Sequence, residues 1–298
     1  MKNDTFLNRL PVIITAFVCI GLYVAGGLHF DKFFSLRVIT NLLGDNSFIG
    51  ILAIGETFVI LTGGIDLSVG AMLGCSGIMA ASLLQHTHIP ALGVFAIAMS
   101  FGAGFGAVQG LLIAKFRLAP FLVTLAGLFF CRGAALMISK ESLSVNNPTV
   151  DRLNDFSIPI SQAAKLPATA LIFIGILIAA IFLAKQTSFG RTVYAIGGSE
   201  KSATLMGLKV DRTLIGAYAL SGFCGALGGL VFMLYTSSGN AIGGLGMELD
   251  AISAVVIGGT LLSGGFGSIV GTFLGVLILG LVQTIIIFQD LNSWWTKI

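Results

Sequence analysis

Apolar runs of about twenty residues follow one another along almost the whole chain. That pattern restricts the fold more than any single motif, because a helix needs ~20 apolar residues to cross ~30 Å of hydrocarbon. Nine runs stand near 10–28, 45–62, 66–84, 90–114, 118–139, 166–184, 213–236, 251–262 and 268–288. They are apolar all round and lack the period-two alternation of a barrel strand. They therefore predict helices, whose backbone polar groups are satisfied within each segment. Composition agrees: 10% of the 298 residues are charged, against about 25% in a soluble domain, too few to cover a water-facing surface. The expected fold class is all-α, a polytopic transmembrane bundle of about 8–10 spans, with residues 1–298 as a single membrane domain.

Orientation follows from Lys and Arg in short loops. Residues 185–212 carry Lys185, Arg191, Lys201, Lys209 and Arg212, the densest basic stretch, which predicts a cytoplasmic loop. Lys115 and Arg117 predict another. Lys2 and Arg9 precede the first run, which has no convincing A-x-A cleavage site, so it is expected to be a retained helix with a cytoplasmic N-terminus. The loop 140–165 then faces outward, although it carries Lys140, Arg152 and Lys165 beside Glu141, Asp151 and Asp155.

A net charge of +3, thinly spread, gives no reason to expect a nucleic-acid partner. Cys19, Cys75, Cys131 and Cys224 lie inside apolar runs without C-x-x-C or metal-ligand spacing, which fits small buried residues and no metal. Walker A, G-x-S-x-G and H-E-x-x-H patterns are absent from the sequence. No catalytic residues and no bound cofactor are expected. Solute movement is the class left, and any energy source must be an ion gradient or another chain.

Residues 60–74, ILTGGIDLSVGAMLG, match residues 261–275, LLSGGFGSIVGTFLG, at Leu61, Gly63, Gly64, Val69, Gly70, Leu73 and Gly74 without gaps. Transporters are often built from such halves, and Gly-interrupted hydrophobic segments at corresponding positions mark broken helices near a pathway. The span count makes these halves parallel. Gly-rich membrane helices also resemble one another because small residues favour close packing. The first break carries Asp66 and Ser68, the second Ser263 and Ser268. An ionisable residue in the membrane is a functional candidate by default. Asp66 can cap the helix it precedes or contact solute. Glu56 stands mid-run in ILAIGETFVIL with no cap to make, and is expected to face the bundle interior. Gln109 and Gln283 either bond between helices or line a pathway. Arg132 is expected to snorkel to the outer interface, with an inter-helix ion pair as the alternative. Glu248 and Asp250 are accounted for by the helix they begin. The candidate pathway residues are thus Glu56, Asp66, Ser68, Gln109, Ser263 and Gln283.

Within 185–212, GGSEKSATLMGLKV predicts a short helix of about two turns. Ser199 serves as N-cap, Glu200 sits in the first turn, and Gly207 takes the left-handed position after Met206. Ala203, Met206 and Leu208 give it an apolar edge. Such an element suits a groove on a soluble partner, or merely joins two spans.

The segments FVILTGGIDLSVG (58–70), SFGRTVYAIGGSEKSATLMGL (188–208) and ELDAISAVVIGGTLLSGGFGS (248–268) resemble the permease subunits of bacterial ABC importers for monosaccharides, the ribose, xylose and galactose branch. The closing LNSWWTKI and the segment around Met206 look most similar to a galactofuranose importer permease. The resemblance implies a second, non-identical permease, cytoplasmic ATPase domains that hold the ATP and Mg, and a periplasmic sugar-binding protein. It implies an inner-membrane location. It also implies that Gly197, Gly198, Ser199, Glu200, Ser202, Ala203, Met206 and Gly207 touch the ATPase. An ion-coupled secondary transporter using Glu56 and Asp66 is the alternative. The family continues through one more helix after the WWTKI region, whereas this sequence ends at Ile298, so either that helix is missing or the last spans are misplaced. For the polar residues, the expectation is that Glu56→Gln reduces uptake more than Asp66→Asn.

Overall fold

Long stretches with no polar residue to spare become helices wherever the apolar pattern demands them. The structure is a computed structural model that describes residues 10–289. Lys2, Arg9 and the closing LNSWWTKI, on which two expectations above rest, lie outside the described residues. The helices are α1 (Leu10–His29), α2 (Leu36–Asp45), α3 (Ser47–Leu61), α4 (Val69–His86), α5 (Ala91–Phe116), α6 (Pro120–Ile138), α7 (Pro148–Asp155), α8 (Ala168–Gln186), α9 (Ser188–Gly198), α10 (Glu200–Leu205), α11 (Val210–Thr236), α12 (Met247–Ile257) and α13 (Ile269–Phe288). Seven of them are long and apolar enough to cross a membrane, and α2 with α3 forms an eighth, bent by 57°. Asn46 accounts for the bend: its side chain turns back to donate to Leu42 O at 2.9 Å, an insertion of the kind that kinks helices.

Two of the expected runs differ. The run at 45–62 is preceded by α2, which extends the span around that bend. The run at 251–262 is not a full span. It folds as α12, 11 residues long, which at 1.5 Å per residue is about 16 Å, half the hydrocarbon thickness. Small strands lie outside the spans: β1 (Leu143–Ser144) pairs with β4 (Ser238–Gly239), and β2 (Ser157–Ser161) makes a hairpin with β3 (Ala164–Pro167).

Helix α11 is the centre of the bundle and packs most extensively on α5, α3 and α4. Small residues at four-residue spacing on α5 let the backbones meet. A Cβ on Gly102 would fall 2.4 Å from Gly222 O, and one on Gly106 2.1 Å from Tyr218 O. Around this core α3 is buried along its whole length, whereas α1 buries only Thr15 and Gly26. The connection between α5 and α6, the segment 185–212 and the turns after α3 and α12 gather at one end, the basic end. The β2–β3 hairpin, on the connection between α6 and α8, sits at the other.

Candidate functional site

The two matched motifs form two glycine turns that touch. Gly63 and Gly264, equivalent in the match, both take left-handed backbone, φ 86° and 83°, a conformation that favours glycine. After each turn a helix starts, α4 or α13. The Gly265 N–H donates to Leu61 O at 2.9 Å, so the turns are joined backbone to backbone. Thr57 and Thr272 hydroxyls, 2.8 Å apart, tie α3 to α13 one level further in. Since both turns lie at the same end and both following helices leave in the same direction, the two motifs are parallel. Upstream they differ: α3 runs to Leu61, but α12 stops at Ile257, leaving a longer turn.

Four of the expected pathway residues converge above the first turn. The Asp66 N–H donates to Glu56 Oε1 at 3.0 Å. Asp66 Oδ1 accepts from the Ser68 N–H (2.9 Å) and hydroxyl (2.6 Å), and Oδ2 accepts from the Ser221 hydroxyl at 2.7 Å. Gln109 Nε2 donates to Ser68 Oγ at 3.2 Å. Glu56 and Asp66 are fully buried, so the cluster fastens the returning chain to α3, α5 and α11 inside the subunit. Glu56 therefore has a local task after all, accepting the N–H of the returning chain. Glu56 Oε2 and Tyr218 Oη are buried without a hydrogen-bond partner among the described residues. Ser221 and Tyr218 were not singled out from the sequence. Their spacing of three on an apolar helix, which puts both on one face, was the available signal. Ser263 is exposed in the second turn, and Gln283 is half-buried on α13, about three turns beyond Thr272. Neither joins the cluster.

Arg132 does not snorkel. Its Nη1 donates to Ala241 O and Gly243 O, each at 2.9 Å. Those carbonyls belong to the segment before α12, which runs down one face of α4. A Cβ on Gly77 would approach Gly229 O, but one on Gly74 would fall 2.5 Å from Gly243 O, and one on Gly70 2.8 Å from Gly244 O. The chain from β4 to α12 is thus irregular backbone held against a helix whose facing residues have no side chain.

The segment 197–207 folds much as its capping residues dictate. Ser199 Oγ accepts from the Ser202 N–H at 3.2 Å. At the other end Gly207 has φ 75°, its N–H donates to Thr204 O (2.9 Å), and the Leu208 N–H donates to Ala203 O (3.1 Å), the double bond of a Schellman ending. The helix between is 6 residues long, about 9 Å. Glu200 pairs with Arg117, which with Lys115 also faces Asp211 at 3.7 Å. The eight expected contact residues divide. Gly198, Ser199, Glu200, Ser202, Met206 and Gly207 are exposed. Ala203 is fully buried, and Gly197 faces inward, where a Cβ would fall 2.0 Å from Leu61 O. The apolar edge is correspondingly different: Ala203 anchors the helix, and Leu205 (88% exposed) and Met206 (66%) project from it.

A family model described as "Branched-chain amino acid transport system / permease component" matches residues 38–298. The chain is 47% identical to the inner membrane ABC transporter permease protein YjfF of Escherichia coli (strain K12), over 98% of this chain and 88% of that one. It is 36% identical to the fructose import permease protein FruG of Bifidobacterium longum (strain NCC 2705), over 100% and 89% of the two chains. It is 37% identical to the ribose import permease protein RbsC of Escherichia coli (strain K12), over 90% and 83%. No solved structure matches. The helical bundle, the paired glycine turns and these matches together place the chain in that family of permease components.

Proposed function

We propose that this chain is a permease subunit of an ATP-binding-cassette importer in the bacterial inner membrane, moving a monosaccharide by alternating access. The observation that carries the reading is α10: a separately capped helix at the basic end, with Leu205 and Met206 projecting into solvent. Two exposed apolar side chains on a rigid turn suit a hydrophobic groove on a soluble partner. The positive-inside rule makes the basic end cytoplasmic, and α1 begins there, since Pro11 lies against Gly259 of the second turn. The partner is a cytoplasmic ABC ATPase, which holds the ATP and Mg. This subunit is not an enzyme. A periplasmic binding protein delivers the sugar, and a second, non-identical permease completes the pathway.

Movement of α10 reaches the membrane by a short route. Gly197 packs directly on both glycine turns, and Glu200 holds Arg117 at the start of the α5–α6 connection. Galactofuranose is the proposed sugar, on the resemblance of LNSWWTKI and the segment around Met206. An ion-coupled transporter is the weaker reading, because Glu56 and Asp66 are sealed within the subunit and the similar proteins are named as ABC permeases. Co-purification with the partner ATPase tests the proposal. Leu205→Glu with Met206→Glu should abolish capture while leaving the permease in the membrane; undiminished capture contradicts it.

A further inference from the structure

Charge is unevenly spread over this chain, and one cavity gathers most of the excess. It has a volume of about 740 Å³ and opens at the basic end, between the end of α5 and the start of α11, beside α10. Among the described residues that line it are Lys115, Arg117, Lys209 and Arg212, with Asp211 as the one carboxylate. Lys115 and Arg117 each face that aspartate at 3.7 Å, and Arg117 also holds Glu200. Lys209 and Arg212 are exposed and pair with no acid among the described residues. Four cations against Asp211 and Glu200 leave two positive charges in excess, out of a net +3 for the whole chain.

The depth of the cavity follows from the helices that frame it. Lys115 stands in the last turn of α5 and Arg212 in the first turn of α11, helices of 26 and 27 residues. At 1.5 Å per residue they are about 39 and 40 Å long, against ~30 Å of hydrocarbon. Their end turns therefore reach the level of the lipid headgroups. Toward the bilayer centre an apolar strip leads away from the charges. Gly104, Val108, Leu111 and Lys115 recur at intervals of four, three and four residues, which puts them on one face of α5, and all four are exposed. Ile215, one turn along α11 from Arg212, lines the cavity on the same side. Leu205 and Met206, the projecting residues of α10, do not line it, so it lies beside the docking surface.

We propose that this cavity binds an anionic phospholipid of the cytoplasmic leaflet, with the phosphate among Lys115, Lys209 and Arg212 and an acyl chain along Val108 and Leu111. Basic pockets between membrane helices on the cytoplasmic side suit such headgroups, and a guanidinium matches phosphate oxygens with paired N–H groups. The lipid supplies the counter-charge that Lys209 and Arg212 lack within the subunit. It also braces the base of α10, because Arg117 in the cavity wall holds Glu200. The assignment goes beyond the importer reading and needs only that the basic end be cytoplasmic.

Fluorescence quenching by brominated lipid tests the assignment. Phe116, exposed at the end of α5, carries the reporter as Phe116→Trp. Phe182→Trp on the exposed side of α8 is the comparison, since Lys185 is the basic residue of that helix's last turn. The complete importer is reconstituted in phosphatidylcholine bilayers that contain either brominated phosphatidylglycerol or brominated phosphatidylcholine, with the unsubstituted complex as background for native tryptophans. Phe116→Trp should prefer phosphatidylglycerol at least about fivefold, and Phe182→Trp less than about twofold. Lys209→Gln with Arg212→Gln should reduce the first preference to the level of the second. Asp211→Asn removes a carboxylate that competes with the phosphate and should raise the preference, a gain that a merely misfolded variant would not show. Excess inorganic phosphate, which has no acyl chain, should leave the preference in place. Equal quenching by the two lipids overturns the proposal, as does a preference that survives the double substitution or falls in Asp211→Asn. A preference abolished by inorganic phosphate would reassign the cavity to a free anion, and one present in the permeases alone but lost in the complete importer would reassign it to the ATPase; either result overturns the lipid. Quenching is read without ATP or sugar, so uptake driven by an ion gradient would reject the importer reading and leave this result standing.

Discussion

Asp66 and Glu56 are equally buried but do unequal amounts of bonding. The Asp66 carboxylate accepts three hydrogen bonds, from Ser68 twice and from Ser221. Glu56 accepts one, from the Asp66 N–H. Hydrogen bonds to charged groups are worth ~1.5–3 kcal/mol each, so Asp66→Asn should lower the thermal unfolding temperature in detergent more than Glu56→Gln. That order is the opposite of the one their sequence positions suggest for uptake, and equal shifts would contradict the bonding pattern. The sequence displayed Glu56 as an interior group, because nothing near it in an apolar run needs a carboxylate. It did not display the partner, because the chain must first reverse at Gly63 to bring the Asp66 N–H back to the level of Glu56. Arg132 is a similar case. Its place in LFFCRGAAL suggests an interface, whereas its two acceptors lie more than a hundred residues away on a segment that only the fold brings down. Arg132→Ala removes both bonds, and a loss of about 3–6 kcal/mol is expected in denaturant unfolding. An unchanged midpoint would show that the segment before α12 holds itself.

At the scale of elements, α10 and α12 mark the two extremes of legibility. Helix α10 was readable because its determinants are local: an N-cap serine, an acidic first turn and a glycine at the left-handed position. What remained hidden was which side faces out, and packing of Ala203 settles that in favour of Leu205 and Met206. Nothing within 4 Å would meet a Cβ at Gly207, but φ is 75° there. Gly207→Arg therefore strains the helix ending and places a charge beside the projecting residues without disturbing the membrane core. The variant should insert normally and lose stimulation of the partner ATPase; normal stimulation would refute a docking role for α10. In sequence helix α12 reads as a span because its apolar run continues through Gly258 and Gly259 to Leu262, and hydropathy does not register a helix that stops at a glycine. The glycine-rich segment before it, GNAIGGLGMELD, reads in sequence as an outer loop. Its descent along α4 depends on glycines of both partners, a tertiary feature with no local signature.

For the whole molecule, the important junction is where the two glycine turns and the end of α9 meet. Three segments distant in sequence are in backbone contact there, through Leu61, Gly197 and Gly265. A Cβ on Gly197 would lie 2.0 Å from Leu61 O and 2.2 Å from Gly265 N, across the bond that joins the turns. Gly197→Ala should separate them and reduce ATP-driven uptake at least about tenfold, a loss of about 1.4 kcal/mol in transition-state terms, with ATPase capture retained. If Gly197→Ala transports normally, the junction is not the route from α10 to the membrane. The central claim is that the work comes from a partner ATPase and not from an ion gradient. The most direct measurement is uptake of radiolabelled sugar into proteoliposomes holding both permeases and the ATPase, with binding protein and sugar outside and ATP within. Uptake should require ATP and persist when proton and sodium gradients are collapsed; uptake driven by a gradient without ATP would contradict the account.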